Sequence, residues 1–141
     1  MYGNGLSSEE ERELIDLTKR LISIPSSASD DNSIYRSVKE YLAKHGLSPF
    51  GPTVENPYLE NGEMENVYAK AGRGQGPRIM LNCHLDTVNL MEGWFHQPYE
   101  ALQEDGKIFG LGAADMKGGA AAAIYAYISF LRRMKDPEGE I

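Results

Sequence analysis

Residues 79–88 have the sequence Ile79-Met80-Leu81-Asn82-Cys83-His84-Leu85-Asp86-Thr87-Val88, an apolar run that ends in a histidine and an aspartate. A continuous apolar run is typical of a strand that is buried on both faces in an α/β sheet, and we expect this strand to cover 78–83. Side chains at positions i and i+2 of a strand share a face. His84 and Asp86 are therefore predicted to point the same way, at a strand end where functional groups are commonly presented, while Leu85 points inward.

A glycine-rich turn follows, with the sequence Gly110-Leu111-Gly112-Ala113-Ala114-Asp115-Met116-Lys117-Gly118-Gly119, and it leads into a predicted helix over 116–133. Asp115 is a carboxylate that this turn can bring to His84. Imidazole and carboxylate groups are ligands of zinc, so a metal centre is the first hypothesis. Asp86 is placed either to orient the imidazole through its second nitrogen or to act as a ligand itself. The alternative from residue types alone is a hydrogen-bonded surface pair.

The pattern Gly110-x-Gly112-x-x-Asp115 also half resembles a dinucleotide-binding fingerprint. That fingerprint needs a third small residue for close packing and places a pyrophosphate beside the helix N-terminus. An aspartate at this position would repel the phosphates, so we reject this interpretation. Cys83 is predicted to face away from His84 as a small buried residue.

The remaining segments predict helices and one hairpin. Ser8 and Glu11 have capping-box spacing before a helix that Pro25 ends, and a second helix is predicted over 32–44 with His45 and Gly46 at its end. Asp105-Gly106 is a strong signal for a β-hairpin, flanked by 99–103 and 107–109.

Bulk properties restrict the function classes. The 141 residues carry a net charge of -7, which argues against a nucleic-acid surface. The longest apolar run, 120–130, is shorter than the roughly 20 residues that cross a bilayer, so no membrane partner is expected. The single cysteine and the absence of a signal-peptide pattern favour a cytoplasmic protein.

Taken together, the motifs resemble those of the co-catalytic zinc metallopeptidase and deacylase family that includes acetylornithine deacetylase, succinyl-diaminopimelate desuccinylase and glutamate carboxypeptidase. The resemblance covers essentially the whole chain. It rests on the following residues in order: His84-Leu85-Asp86-Thr87-Val88, Trp94, Pro98-Tyr99, Asp105-Gly106-Lys107-Ile108-Phe109-Gly110 and Gly112-Ala113-Ala114-Asp115-Met116-Lys117-Gly118-Gly119.

This resemblance implies an α/β fold: a three-layer sandwich with a mixed, mostly parallel sheet, of which residues 1–141 form the N-terminal portion of a single catalytic domain. It implies that His84 ligates one zinc ion, that Asp115 bridges two zinc ions, and that Asp86 orients and polarises His84 as a catalytic residue. Cobalt can substitute for zinc. It also implies that the Asp115–Met116 peptide bond is cis. The function implied is hydrolysis of an amide bond in a small N-acyl amino acid or peptide.

Two substitutions depart from the family pattern, because Leu111 stands where arginine is frequent and Cys83 where glycine is frequent. The substrate and the residues that bind it are therefore left open. The larger departure is that the family's glutamate pair, a further acidic ligand, a final histidine and the lid domain for dimerisation have no counterpart after Asp115. We therefore expect the chain alone to be inactive. The alternative is a non-catalytic module that binds a partner or binds metal weakly, with exposed apolar surfaces that favour self-association.

Overall fold

The computed structural model describes residues 5–27, 30–55 and 62–141. Helices and short strands alternate with long irregular segments in this part of the chain. In chain order the elements are α1 (Ser8–Ile22), α2 (Ser33–Lys44), β1 (Thr53–Glu55), β2 (Glu63–Glu65), β3 (Leu102–Glu104), β4 (Lys107–Phe109), a turn (Ala113–Lys117) whose backbone is not helical at Asp115 and Met116, and α3 (Gly118–Arg133). The mixed composition agrees with the α/β prediction, and all three predicted helices are present within a few residues of their predicted bounds.

The core lies between the three helices and the inward side of the extended segment that precedes Asp86. Each helix contributes apolar residues at helical spacing, as amphipathic helices do when one face is buried. The buried members of this cluster are Leu17, Leu21, Ile34, Val38, Leu42, Leu85, Ala120, Ala121, Tyr127 and Ile128. Because α3 is rich in alanine, it can approach α1 closely. The three helices therefore form a support for the segments that carry the candidate site.

Helix α1 begins one residue earlier than the sequence analysis predicted. Ser7 is the N-cap, and its hydroxyl accepts a hydrogen bond from the Glu10 N–H at 3.3 Å. The Glu10 carboxylate accepts from the Ser7 N–H at 2.9 Å, which completes the capping box. The prediction that Ser8 and Glu11 form the capping box is wrong. Ser7 and Glu10 have the same spacing as Ser8 and Glu11, so spacing alone does not distinguish the two pairs. The helix ends at Ile22, with Ser23 as C-cap, so it stops before Pro25.

Ion pairs join the helices at their ends. Arg132 of α3 donates from Nη1 to Glu13 of α1 at 2.8 Å, and Arg133 donates from Nη2 to Glu10 at 3.0 Å. The basic last turn of α3 therefore lies beside the acidic first half of α1. This arrangement satisfies the charge preference of both helix ends.

The described strands form two separate antiparallel sheets. Strand β1 pairs with β2, and β3 pairs with β4 across the Asp105-Gly106 turn. Asp105 has φ 49° and Gly106 has φ 72°, the positive values that a type I′ turn requires. The predicted hairpin is thus confirmed. The described residues do not confirm the three-layer, mostly parallel sheet that the resemblance implied.

The prediction of a doubly buried strand over 78–83 is wrong for the described structure. The segment is extended but joins no ladder, and its single bridge is the parallel one between Arg78 and Glu140. Ile79, Met80 and Leu81 are 60%, 80% and 46% exposed. The apolar character of the run therefore does not correspond to burial among the described residues.

An apolar groove of about 310 Å³ lies beside this extended segment. The segment's residues 80–86 form one wall, residues 66–69 form another, and side chains of α2 and α3, including Leu42 and Tyr127, form the floor. Ile141 exchanges main-chain hydrogen bonds of 3.0 and 3.1 Å with Ala71. Ile141 therefore lies at the end of the groove beside the segment that forms its second wall.

None of the helices among residues 5–27, 30–55 and 62–141 combines the length and the apolar character needed to cross a membrane.

Candidate metal centre

The end of the extended segment presents two polar side chains on one face. Leu85 is buried at 7% exposed and packs in the helical core, whereas His84 and Asp86 are exposed. This confirms the predicted alternation, since an extended backbone sends successive side chains to opposite sides. Cys83 is half-buried beside the core, and burial raises the pKa of its thiol. It therefore fits the structural role that was predicted.

The turn before α3 brings Asp115 to His84 from the other side. Gly112 begins this turn with φ 78°, a conformation that favours glycine. The Asp115–Met116 peptide bond is cis, as the resemblance implied. Asp115 Oδ1 lies 3.1 Å from His84 Nε2. Two residues that are 31 positions apart in the sequence thus meet at one point on the surface.

The second nitrogen of His84 faces Asp86. Its Nδ1 lies 3.1 Å from the main-chain oxygen of Asp86 and 3.5 Å from the Asp86 carboxylate. A main-chain carbonyl only accepts hydrogen bonds, so Nδ1 carries the hydrogen in this contact. The contact with the Asp86 carbonyl, together with the hydrogen bond to Asp115 and both carboxylate charges, raises the pKa of His84 against the opposing effect of desolvation. Asp86 therefore orients the imidazole mainly through its main chain, with its carboxylate close by.

This arrangement fits a cation between Nε2 and Oδ1. With the hydrogen on Nδ1, the neutral ring points a lone pair at a carboxylate oxygen, and two such groups attract only through a shared proton or metal ion. Zinc binds imidazole nitrogen and carboxylate oxygen at about 2.0–2.2 Å, which separates two tetrahedral ligands by about 3.3 Å. The observed 3.1 Å is close to this separation. The donor chemistry of His84 and Asp115 therefore suits a zinc site.

The described residues supply only part of a metal site. No group of three or more His, Cys, Asp or Glu side chains in 5–27, 30–55 and 62–141 is arranged to hold a metal ion. His45 is at the C-terminal end of α2, and the His96 ring lies 5.0 Å from that of Phe109. Two protein ligands are fewer than the three or four of typical zinc sites.

An open pocket of about 420 Å³ lies at this site. It is lined by His84, Asp86, Thr87, Val88, Gly110, Leu111, Gly112, Ala113, Ala114 and Asp115. Most of the lining comes from the two segments that sequence analysis singled out, and small residues dominate it. The side chains of His84 and Asp115 are 46% and 89% exposed, so the candidate ligands are open to solvent.

Sequence analysis missed residues that support the site from behind. The Ser26 hydroxyl donates to the Leu85 oxygen at 2.8 Å, and the Thr87 N–H donates to the Ser26 oxygen at 2.9 Å. No local pattern could have found Ser26, because it lies 59 positions from Leu85.

Lys117, at the end of the turn that carries Asp115, is 0% exposed and donates from Nζ to the Ile24 oxygen at 2.7 Å. Burial lowers the pKa of Lys117 to about 8, an effect that the charge of Asp30 opposes.

Residues 80–141 match the model of the peptidase family M20/M25/M40. This segment contains both candidate metal ligands. The chain belongs to this family.

Curated relatives agree with this assignment. The chain is 34% identical over 132 residues to the succinyl-diaminopimelate desuccinylase of Hydrogenovibrio crunogenus, which covers 92% of this chain and 33% of that protein. It is 37% identical over 130 residues to the succinyl-diaminopimelate desuccinylase of Methylobacterium radiotolerans, covering 89% and 32%. It is also 34% identical over 115 residues to the succinyl-diaminopimelate desuccinylase of Nitratiruptor sp., and this match covers 81% of this chain and 29% of that protein. The chain thus spans about a third of the length of the curated relatives that it matches.

Proposed function

We propose that this chain contributes part of the metal site of a zinc-dependent enzyme that hydrolyses an amide bond, by N-acyl amino acid deacylation or by cleavage of short peptides. The observation that carries the proposal is the 3.1 Å approach of His84 Nε2 to Asp115 Oδ1, a nitrogen and an oxygen that attract when they share a proton or a metal ion. Membership of the M20/M25/M40 peptidase family supports hydrolysis as the reaction.

Each site residue has a separate role in this proposal. His84 Nε2 and the Asp115 carboxylate would hold the zinc, and Asp86 accepts the hydrogen of Nδ1 so that Nε2 stays available. Zinc held there would supply an acidified water and a Lewis acid for the scissile carbonyl. The exposure of both ligands leaves room for substrate and for further ligands beside them.

We further propose that residues 1–141 are the N-terminal portion of a single catalytic domain with a three-layer, mostly parallel sheet. In support, the relatives are about three times as long as the matching segment, and the extended segment at 79–86 borders an apolar groove. The remaining metal ligands and the general base would then lie outside these 141 residues. The cytoplasmic location stays a prediction that rests on the single cysteine.

The substrate belongs to a small-molecule class in this proposal. The relatives' names specify succinyl-diaminopimelate, whose succinyl amide is an N-acyl amino acid bond. Leu111 is only 7% exposed and Cys83 is half-buried. These two departures from the family pattern therefore change the packing around the site more than they change its exposed surface.

A second candidate function is a non-catalytic module that binds a partner or binds metal weakly. The observation that favours it is that only two ligands converge among the described residues. The two candidate functions predict different results when the rest of the metal site is supplied: the first predicts amide hydrolysis and the second predicts none.

The test joins this chain to the remaining two thirds of the Hydrogenovibrio crunogenus desuccinylase, in place of that protein's matching segment. We expect zinc-dependent release of succinate from succinyl-diaminopimelate, and a loss of at least about 100-fold with His84→Gln or Asp115→Asn. His45→Gln, which alters a histidine at the end of α2, serves as the matched control and should retain activity. Retained activity in both site variants would rule out the proposed ligands. Zinc-dependent turnover by the isolated 141-residue chain would contradict the proposal that the rest of the site lies elsewhere.

A further inference from the structure

The candidate ligands His84 and Asp115 project from the surface, so the packing of their own side chains does not fix the distance between them. The Asp115 side chain is 89% exposed and that of His84 is 46% exposed, so few packing contacts surround them. Their positions must therefore be determined by the main chain from which they project. The residues behind that main chain are buried.

One loop contacts the segment that carries His84. Ser26, which is 4% exposed, donates from its hydroxyl to the Leu85 oxygen and accepts at its own oxygen from the Thr87 N–H. These two hydrogen bonds hold the residues on either side of Asp86, and Leu85 directly follows His84. The main chain around Asp86 is thus fixed on both sides by a single residue.

The same loop contacts the turn that carries Asp115. The Nζ of Lys117 donates to the Ile24 oxygen, two residues before Ser26. The stem of Lys117 passes so close to Gly112 that a Cβ there would lie 3.3 and 3.4 Å from its Cδ and Cγ atoms. The Lys117 N–H also donates to the Gly112 oxygen at 2.8 Å. The turn is thereby closed by the main chain of Lys117 and anchored by its side chain.

A buried lysine is costly unless its ammonium is hydrogen-bonded, and an apolar side chain of similar length would fill the same space without that cost. What the lysine adds is a directional bond to one carbonyl. Serine at position 26 likewise adds a directional bond to the Leu85 carbonyl. Both bonds end on, or start from, the loop at 24–27.

We infer that this loop sets the distance between His84 and Asp115, with Ser26 and Lys117 as positioning residues that act through the main chain. The inference rests on the proposed function for its consequence, which is metal affinity. The side-chain hydrogen bonds of Ser26 and Lys117 described above end on main-chain oxygens, those of Leu85 and Ile24. Ser26 anchors the segment that carries His84, and Lys117 anchors the turn that carries Asp115, both to the loop at 24–27.

The test measures amide hydrogen exchange of the metal-free chain by NMR, for Ser26→Ala and Lys117→Met. If the loop couples the two segments, Ser26→Ala will speed exchange of the Lys117 amide, and Lys117→Met will speed exchange of the Thr87 amide, by about tenfold. Ser37→Ala is the matched control, because Ser37 is also a buried serine, accepting from Arg20 Nε at 2.7 Å between α1 and α2. Exchange rates in Ser37→Ala show how much of any faster exchange comes from a general loss of stability.

A Co²⁺ titration of the same proteins gives the second readout. We expect Ser26→Ala and Lys117→Met to weaken binding about 10- to 100-fold, the usual effect of altering residues behind metal ligands, while Ser37→Ala leaves it unchanged. The inference is overturned if each substitution speeds exchange only in its own segment. Ser26→Ala alone decides this point if Lys117→Met does not fold. If the unsubstituted chain does not bind Co²⁺, the exchange data alone decide the coupling, and the proposed function is decided separately by the activity of the joined enzyme.

Discussion

Gly112 is the residue that allows the turn carrying Asp115 to pack closely against Thr87. Its φ of 78° favours glycine, and a Cβ there would lie 2.6 Å from Thr87 Cγ2. We expect Gly112→Ala to lower the free energy of unfolding by about 2–4 kcal/mol, from the backbone cost and the overlap together. Urea unfolding measures this change.

Gly106→Ala provides the matched control, because Gly106 has φ 72° but no atom within 4 Å of its would-be Cβ. Only the backbone cost of about 1 kcal/mol is expected there. Equal effects of the two substitutions would show that close packing against Thr87 is unimportant.

His45 makes stability depend on pH at the far end of the helices. Burial, followed by the charge of Arg132, lowers the pKa of His45 from its ordinary 6.5, and Arg132 donates to Nδ1 at 3.3 Å. The unfolded chain therefore binds this proton more readily, so stability falls as the pH falls below 6.5. We expect His45→Gln to remove this part of the decline between about pH 7 and pH 5, measured by urea unfolding.

His96→Gln is the corresponding control, since it leaves His45 and Arg132 in place. The explanation fails if His45→Gln shows the same decline as the unsubstituted chain.

At the residue scale, the sequence predicted much of the site. The alternation of His84, Leu85 and Asp86 depends only on a locally extended backbone, and the structure confirms it. The partnership of His84 with Asp115 was implied by the resemblance and agrees with their 3.1 Å approach. The contacts of Ser26 and of the Lys117 ammonium were not predictable, because they depend on the packing of residues far apart in the chain.

At the scale of elements, the start of α1 tests a distinction that the sequence left ambiguous. Ser7 caps the helix and Ser8 is its first residue. We expect Ser7→Ala to destabilise the chain by about 0.5–2 kcal/mol through loss of the cap, measured by thermal unfolding. Ser8→Ala should have little effect, and a larger loss at Ser8 would place the cap where the sequence analysis first predicted it.

Helices were predicted better than strands for a physical reason. The apolar stripe and caps of a helix lie within its own segment, whereas a strand is defined by partners elsewhere. The hairpin was predicted because its two strands, β3 and β4, are separated by only the two residues of the turn. The segment at 78–83 has the composition of a central strand but pairs only at Arg78 among the described residues.

At the scale of the whole molecule, exposed apolar side chains on the extended segment favour self-association. Met80 is 80% exposed beside Ile79 and Leu81. We expect the mass measured by light scattering to rise with protein concentration, and Met80→Lys to suppress the rise. Met91→Lys is the matched control, because Met91 is 72% exposed in a different segment. A constant monomer mass, or equal effects of both substitutions, would refute this surface as the cause.

The central claim is that His84 and Asp115 hold one metal ion. A Co²⁺ titration of the chain, followed by visible absorption, tests it most directly alongside His84→Ala, Asp115→Ala and the control Asp136→Asn, whose carboxylate pairs with Arg73 instead. We expect the unsubstituted chain and the control to bind Co²⁺ with equal affinity, and each site variant to bind at least about tenfold more weakly. Binding that neither site substitution weakens would contradict this assignment.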